Sequence, residues 1–138
     1  MEKITFDAGL KSYRINGGAV LKFNPADPNL YARFMEAVER VKQLEGTLLQ
    51  PEADPLEQMC RMDKQVKETL GWVFGGDNDF DKLLGGVNLL AVASNGQRVI
   101  TNLLEALLPV LTEGAQLCAG QQVQLAKEKA KARREAQC

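Results

Sequence analysis

The most apolar segment of the chain is Val99-Ile-Thr-Asn-Leu-Leu-Glu-Ala-Leu-Leu-Pro-Val-Leu111. Its large apolar side chains recur at intervals of three, four and seven residues, which is the spacing of an α-helix. They form two adjoining rows: Val99, Leu103, Leu107 and Val110 in one, and Ile100, Leu104, Leu108 and Leu111 in the other. Together the two rows occupy more than half of the helix surface, so other elements or another chain must cover them.

The size and composition of the chain indicate one globular domain. A chain of 138 residues with 45% hydrophobic and 25% charged residues can build a core of its own. The net charge of −1 gives no general attraction for nucleic acid or for anionic lipid. The charge is uneven, however, because residues 127–138 carry +3 and the remainder of the chain carries −4.

Three features predict a cytoplasmic protein. The cysteines at 60, 118 and 138 are odd in number and far apart, which favours free thiols over a disulfide framework. We expect Cys60 and Cys118 to be buried as small hydrophobic residues. Residues 99–111 are too few to cross a bilayer, which takes about 20, and the first residues lack the apolar core of a signal peptide.

The first 23 residues predict strands. Ile4-Thr-Phe6 alternates between apolar and polar, Asp7-Ala-Gly9 suggests a turn, and Leu10–Ile15 predicts a second strand. Asn16-Gly17-Gly18 favours a hairpin because asparagine and glycine tolerate positive φ angles, and Val20–Phe23 then returns antiparallel. A hairpin or meander of this size is not stable alone, so we expect it to pack on helices.

Two amphipathic helices follow, and each has the same start signal. In Asp27-Pro28 and Asp54-Pro55 an N-cap carboxylate precedes proline at the first helical position. The predicted core residues of the first helix are Leu30, Phe34, Val38, Val41, Leu44 and Leu48; those of the second are Leu56, Met59, Val66, Leu70, Val73 and Phe74. Trp72 is expected to be a further core anchor, and Gly75-Gly76 ends the second helix.

Between the second helix and the long apolar helix, the pattern predicts a helical turn at Phe80–Leu84, a short helix at Asn88–Ala93 and a turn at Ser94–Gly96. The apolar helix then begins near Gln97, and Pro109 predicts a kink or a break in it.

The predicted fold class is therefore mainly α. A small N-terminal antiparallel β-hairpin or meander packs on a bundle of about four helices within residues 1–112. Residues 113–138 form a charged C-terminal helical tail. Few apolar residues hold this tail to a core, so we expect its last dozen residues to project or fray.

Residue types that carry catalysis or bind metals are scarce. The chain has no histidine, which removes the commonest general base and zinc ligand. Asp77-Asn-Asp79 and Asp81 resemble the opening of a calcium loop, but Lys82 and Asn88 stand where that loop needs glycine and glutamate. Helix capping by Asp79 is the favoured interpretation. We therefore predict a protein that is not an enzyme and has no cofactor and no metal.

Three segments together resemble a known family. They are Phe23-Asn-Pro-Ala-Asp27 with the helix around Arg33-Phe34, the helix end Gly71-Trp-Val-Phe-Gly-Gly76, and Leu103–Leu111 followed by a charged tail. Over residues 4–112 the chain resembles the small tail-assembly proteins of long-tailed phages and prophages of Gram-positive bacteria. These proteins are similar to tail assembly chaperones.

This resemblance implies a mainly α-helical, non-enzymatic protein in the cytoplasm of an infected or lysogenic host cell. It would bind the tape-measure protein, a long helical chain prone to aggregate, while the tail tube polymerises. Tail tube subunits and further copies of the chain are additional expected partners, whereas nucleic acid and membrane are not. The alternative is a structural virion component, a tail completion or connector protein that stays in the particle as an oligomer.

The expected mode of binding is a partner helix lying in an apolar groove. The predicted contacts are Ile100, Leu104, Leu108 and Leu111, with Lys127, Lys131 and Arg134 of the tail as a second, adjustable contact. The same apolar residues could instead form the core or a self-association surface.

Overall fold

The computed structural model describes residues 1–47 and 54–136. Within these ranges the elements are β1 (Lys11–Arg14), β2 (Val20–Phe23), α1 (Pro28–Thr47), α2 (Pro55–Phe74), α3 (Phe80–Leu83) and α4 (Val99–Ala136). This confirms the predicted mainly α fold with a small N-terminal antiparallel hairpin. The predicted core role of Leu48, the loop before Asp54 and the thiol of Cys138 lie outside the described residues.

The hairpin forms as its turn residues predict. Asn16 and Gly17 both have positive φ angles, 48° and 74°, and the amide of Gly18 donates to the carbonyl of Ile15 at 2.8 Å. The turn brings β1 and β2 into antiparallel register, with Tyr13 opposite Leu21. The hairpin thereby presents one apolar face to the helices.

The predicted strand at Ile4–Phe6 is wrong. Ile4 and Phe6 are 91% and 77% exposed, and this part of the chain is irregular. The chain turns just before β1, where Gly9 has a φ of 74° and its amide donates to the carboxylate of Asp7 at 2.8 Å. The turn therefore forms, but residues 4–6 that precede it are not part of a strand.

Both predicted N-caps are confirmed. A carboxylate oxygen of Asp27 accepts from the amide of Asn29 at 2.9 Å, and one of Asp54 accepts from the amide of Glu57 at 3.2 Å. Each bond satisfies an amide that the first turn of its helix leaves without a partner.

One hydrophobic core joins the hairpin, the helices and the loop before α4. Its fully buried large side chains are Phe23, Phe34, Leu21, Leu70, Leu89, Ile100, Leu111, Val66 and Val73. A chain of aromatic contacts crosses it, with ring centroids 4.7 Å apart for Tyr13 and Phe23, 4.9 Å for Phe23 and Phe74, and 5.4 Å for Phe74 and Phe80.

Three predicted core positions of α2 are wrong. Leu56 is 75% exposed, Trp72 is 43% exposed, and Cys60 is exposed. Trp72 follows the buried Leu70 by two residues, and residues two apart face different sides of a helix. The guanidinium of Arg40 lies 4.7 Å from the Trp72 ring centroid, so this indole packs at the surface.

The predicted short helix at Asn88–Ala93 is also wrong. The carbonyls of Leu89 and Ala91 accept from the amides of Ile100 and Val99, each at 2.9 Å. These bonds satisfy amides of the first turn of α4, so the segment supports the start of that helix and forms no helix itself.

Helix α4 is continuous through Pro109, so the chain does not break there. Pro109 is exposed, where water can reach the carbonyl that proline leaves without an amide partner. Packing extends beyond the predicted boundary at residue 112, because Gly114 is buried and Cys118 is half-buried. From Ala119 to Arg134, every side chain that the structure describes is exposed.

Gly114 is a point of very close approach between α4 and the turn that precedes α1. A Cβ atom at this position would overlap the carbonyl of Pro25 and lie 3.0 Å from the amide nitrogen of Ala26. Only glycine therefore allows the helix to lie directly on the turn that joins β2 to α1.

We expect Gly114→Ala to destabilise the protein by about 3 kcal/mol, because either the helix or the turn must move to admit a methyl group. Gly46→Ala is the matched control. A Cβ at residue 46, which is exposed near the end of α1, meets nothing within 4 Å, so this change should stabilise the helix by up to about 1 kcal/mol. Urea unfolding of both variants measures the difference, and equal midpoints for the two would contradict the close approach.

Candidate interaction groove

Helices α1 and α4 run antiparallel. The turn that precedes α1 lies against Gly114 near the middle of α4. Glu45 near the end of α1 and Thr101 near the start of α4 line the same hollow. The two helices therefore form the two long walls of a groove.

The groove has an apolar floor and a charged rim. It is lined by Phe34, Met35, Val38, Val41, Lys42, Glu45, Thr101, Leu104, Glu105 and Leu108 and has a volume of about 290 Å³. Phe34 and Val41 are buried at its floor, whereas Met35 and Leu108 are 39% and 42% exposed. Both exposed side chains are large and apolar, so the groove presents apolar surface to water.

The structure separates the four apolar residues predicted to contact a partner. Leu104 is half-buried and Leu108 is exposed, and both line the groove. Ile100 and Leu111 are fully buried in the core, so a partner cannot reach them in this fold and the prediction is corrected for these two. Both residues lie on the side of α4 that faces the core. This side extends from the first turn of the helix, where the Ile100 amide bonds the Leu89 carbonyl, to Gly114, which lies against the Pro25 turn.

The three predicted basic contacts lie away from the groove. Lys127, Lys131 and Arg134 are exposed on the projecting end of α4. At 1.5 Å per residue, Lys127 is about 28 Å along the helix axis from Leu108. The groove and the basic end are thus two separate surfaces of one helix.

Sequence reasoning missed the α1 wall of the groove. Met35 was left out of the predicted apolar face, and Val38 was assigned to the core although it is only half-buried. The available signal was that Met35 follows Phe34 directly, which makes the apolar face of α1 wider than one row.

A second hollow lies on the other side of α4, against the hairpin. Its apolar lining includes Tyr13, Ile15, Leu103, Leu107 and Val110, and its volume is about 550 Å³. Leu103 and Leu104 therefore line different hollows. The apolar side chains of residues 99–111 are thus divided between the core and two hollows on different sides of α4.

The buried charged residue Asp63 belongs to the scaffold. Asp63 is 9% exposed, and its carboxylate accepts from the amide of Leu89 at 2.8 Å and pairs with the ammonium of Lys67 at 2.9 Å. The Lys67 ammonium also pairs with Asp81 at 2.6 Å. These contacts tie α2 to α3 and to the loop that precedes α4.

The two carboxylates determine how Lys67 titrates. Burial lowers the pKa of the ammonium, but hydrogen bonds and charge interactions with Asp81 and Asp63 outweigh burial and raise the pKa above its ordinary value of 10.5. Lys67 therefore stays charged to higher pH in the folded protein than in the unfolded chain.

The acidic segment around Asp79 is structural. Its carboxylate accepts from the amides of Asp81 and Lys82 and caps α3, as the favoured interpretation predicts. The Asn78 side chain bonds both the amide and the carbonyl of Lys22, at 3.1 and 2.8 Å, and so covers the outer edge of β2. Within residues 1–47 and 54–136, no group of three or more Cys, Asp or Glu residues is placed to hold a metal ion.

None of the helices in the described part of the chain is both long enough and apolar enough to cross a membrane. Comparison with protein-family models, with curated protein sequences and with solved structures found no match to this chain.

We expect Lys67→Met to destabilise the protein by about 2 kcal/mol at pH 8, because it leaves a buried carboxylate without its ion pair. Since the folded-state pKa is raised, the contribution of Lys67 is complete below 10.5 and decreases as the pH rises above 10.5. The difference between wild type and variant should therefore narrow in alkaline solution.

Chemical unfolding between pH 8 and 11 measures this difference. Lys64→Met is the control, because Lys64 is exposed on the same helix, and we expect it to change stability by less than about 0.5 kcal/mol. A Lys67→Met effect that stays constant up to the highest pH would contradict the titration argument.

Proposed function

We propose that this protein is a phage tail assembly chaperone that binds an amphipathic helix of the tape-measure protein in the α1–α4 groove. The observation that carries the proposal is the exposed apolar wall of the groove, formed by Met35 on α1 and Leu108 on α4. Large apolar patches that remain exposed in a folded chain are typical of interaction surfaces.

The shape and chemistry of the groove support a helix as its ligand. Two antiparallel helices form the walls, and a third helix can place apolar side chains at intervals of three and four residues between them. Lys42, Glu45 and Glu105 along the rim provide charges of both signs for the polar flanks of such a helix. A ligand that is apolar on one face and charged on its flanks would match both features.

The identity of the partner rests on the family resemblance. The segments that resemble phage tail-assembly proteins include Arg33-Phe34 of α1 and Leu103–Leu111 of α4, which supply Phe34, Leu104, Glu105 and Leu108 of the groove. A tape-measure protein is a long helical chain, and a groove that covers its apolar face would keep it from aggregating. The protein would act in the cytoplasm of the infected or lysogenic host, without enzymatic activity.

We expect Leu108→Asp to weaken binding of the tape-measure protein at least about tenfold, because it places a carboxylate in an apolar contact that the partner must desolvate. The fold should remain intact, since Leu108 is already 42% exposed. Leu56→Asp is the matched control, because Leu56 is 75% exposed on α2 and does not line the groove. Leu111→Asp should instead unfold the protein, since Leu111 is fully buried.

Co-expression with the tape-measure protein, followed by affinity capture and circular dichroism of each variant, provides the measurement. The proposal holds if the tape-measure protein is soluble only when this chain is present, and if Leu108→Asp loses binding of the tape-measure protein whereas Leu56→Asp keeps it. Equal solubility of the tape-measure protein without this chain, together with recovery of this chain in finished tails, would favour the structural virion component instead.

A further inference from the structure

The charged residues of α4 are ordered along the helix. From Val99 to Leu117 the charged residues are Glu105 and Glu113, both acidic. From Cys118 to Ala136 the helix carries a net charge of +3. The helix is therefore a rod with an acidic first half and a basic second half, and a second copy that lies antiparallel to it brings unlike charges together.

Five exposed residues of this rod share one face and are arranged symmetrically about Gly120. They are Glu113, Leu117, Gly120, Val123 and Lys127, at successive spacings of four, three, three and four residues. Spacings of three and four keep side chains on one side of a helix. The spacings are the same when counted from Gly120 toward either end of the helix. A two-fold axis through Gly120 therefore places residues of this face in one copy opposite residues of the same face in the other copy.

One antiparallel register matches all five residues at once. With the axis at Gly120, Glu113 of one copy lies opposite Lys127 of the other, since each is seven residues from the axis. Leu117 lies opposite Val123 in the same way, and these side chains are 66% and 53% exposed. At the axis itself Gly120 meets Gly120, and a residue without a side chain lets two helices approach closely.

This face is free in the described chain. It lies to one side of Leu111 and Gly114, which contact the core, and its two large apolar side chains, Leu117 and Val123, are exposed. Beyond Cys118 the described side chains are exposed, so nothing in residues 1–47 and 54–136 covers the second half of the face.

We infer that α4 pairs antiparallel with α4 of a second copy of this chain, with the two-fold axis at Gly120. The two-fold symmetry forms each contact twice, so the pair gains two Glu113–Lys127 contacts and two Leu117–Val123 contacts. Leu104 and Leu108 lie on a different side of the helix, so the dimer leaves the α1–α4 groove of each copy accessible. The inference is independent of the proposed function, because it does not require a tape-measure partner.

Charge exchange tests the pairing. Glu113→Lys alone and Lys127→Glu alone each place like charges opposite one another twice, and we expect each to weaken dimerisation about tenfold. The double variant Glu113→Lys with Lys127→Glu restores unlike pairs and should return to within about threefold of wild type. Sedimentation equilibrium at protein concentrations up to about 0.1 mM measures the dissociation constants. A wild-type chain that stays monomeric, or a double variant no better than the single ones, would overturn the inference.

Disulfide trapping tests the register. In a chain with serine at positions 60, 118 and 138, Gly120→Cys should form a linked dimer on mild oxidation, because the two cysteines meet at the axis. Gln124→Cys is the matched control, since two copies of residue 124 would be about 12 Å apart along the axis, beyond disulfide reach. Equal linkage at both positions would indicate a parallel pair and overturn the inference, as would linkage at 124 alone.

Discussion

The contact between Gly114 and the Pro25 carbonyl is the constraint on which the arrangement of α4 depends. It holds the helix backbone directly against the turn between β2 and α1, where a side chain would overlap the carbonyl. Because that turn also starts α1, the contact determines which end of α1 lies beside the middle of α4. This close approach, together with the hollow that Glu45 and Thr101 both line, gives the groove its antiparallel walls.

Polar contacts hold the other end of α4 in place. The carboxylate of Asp63 accepts a hydrogen bond from the amide of Leu89 and pairs with the ammonium of Lys67. The carbonyl of Leu89 in turn accepts a hydrogen bond from the amide of Ile100. The loop before α4 is thus bonded to α2 through the amide of Leu89 and to the first turn of α4 through the carbonyl of Leu89. A buried carboxylate is costly unless it is paired and hydrogen-bonded, and here both conditions are met. The irregular loop is consequently held to both α2 and α4 by hydrogen bonds.

Features that depend on local signals were predictable from the sequence. The N-caps at Asp27 and Asp54 and the turn at Asn16-Gly17 each rest on residues within four positions of one another, and each formed as predicted. The conformation of residues 88–93 was not predictable in this way, because the carboxylate that binds Leu89 lies 26 residues earlier in the chain.

The candidate groove was predictable only in part. The spacing of apolar residues in α4 indicates which side chains share a face, but it does not indicate which neighbour covers each face. Ile100 and Leu104 were therefore equivalent in the sequence, whereas in the structure one is fully buried and the other lines the groove. The α1 wall was missed for the same reason, since Met35 acquires its role only from the position of Leu108 across the groove.

Helix α4 thus has three surfaces with different physical demands. Its inner surface must be apolar and, at Gly114, free of a side chain, because it contacts the core and the Pro25 turn. The surface with Leu104 and Leu108 is apolar although water reaches it, which destabilises nothing in the fold but is unfavourable for solubility. The outward surface is acidic in the first half of the helix and basic in the second half, and packing within one chain does not require this order of charges. Leu108 and the charged side chains of the outward surface are exposed, and this difference between what core packing requires and what the sequence contains is the physical basis for proposing that they contact partners.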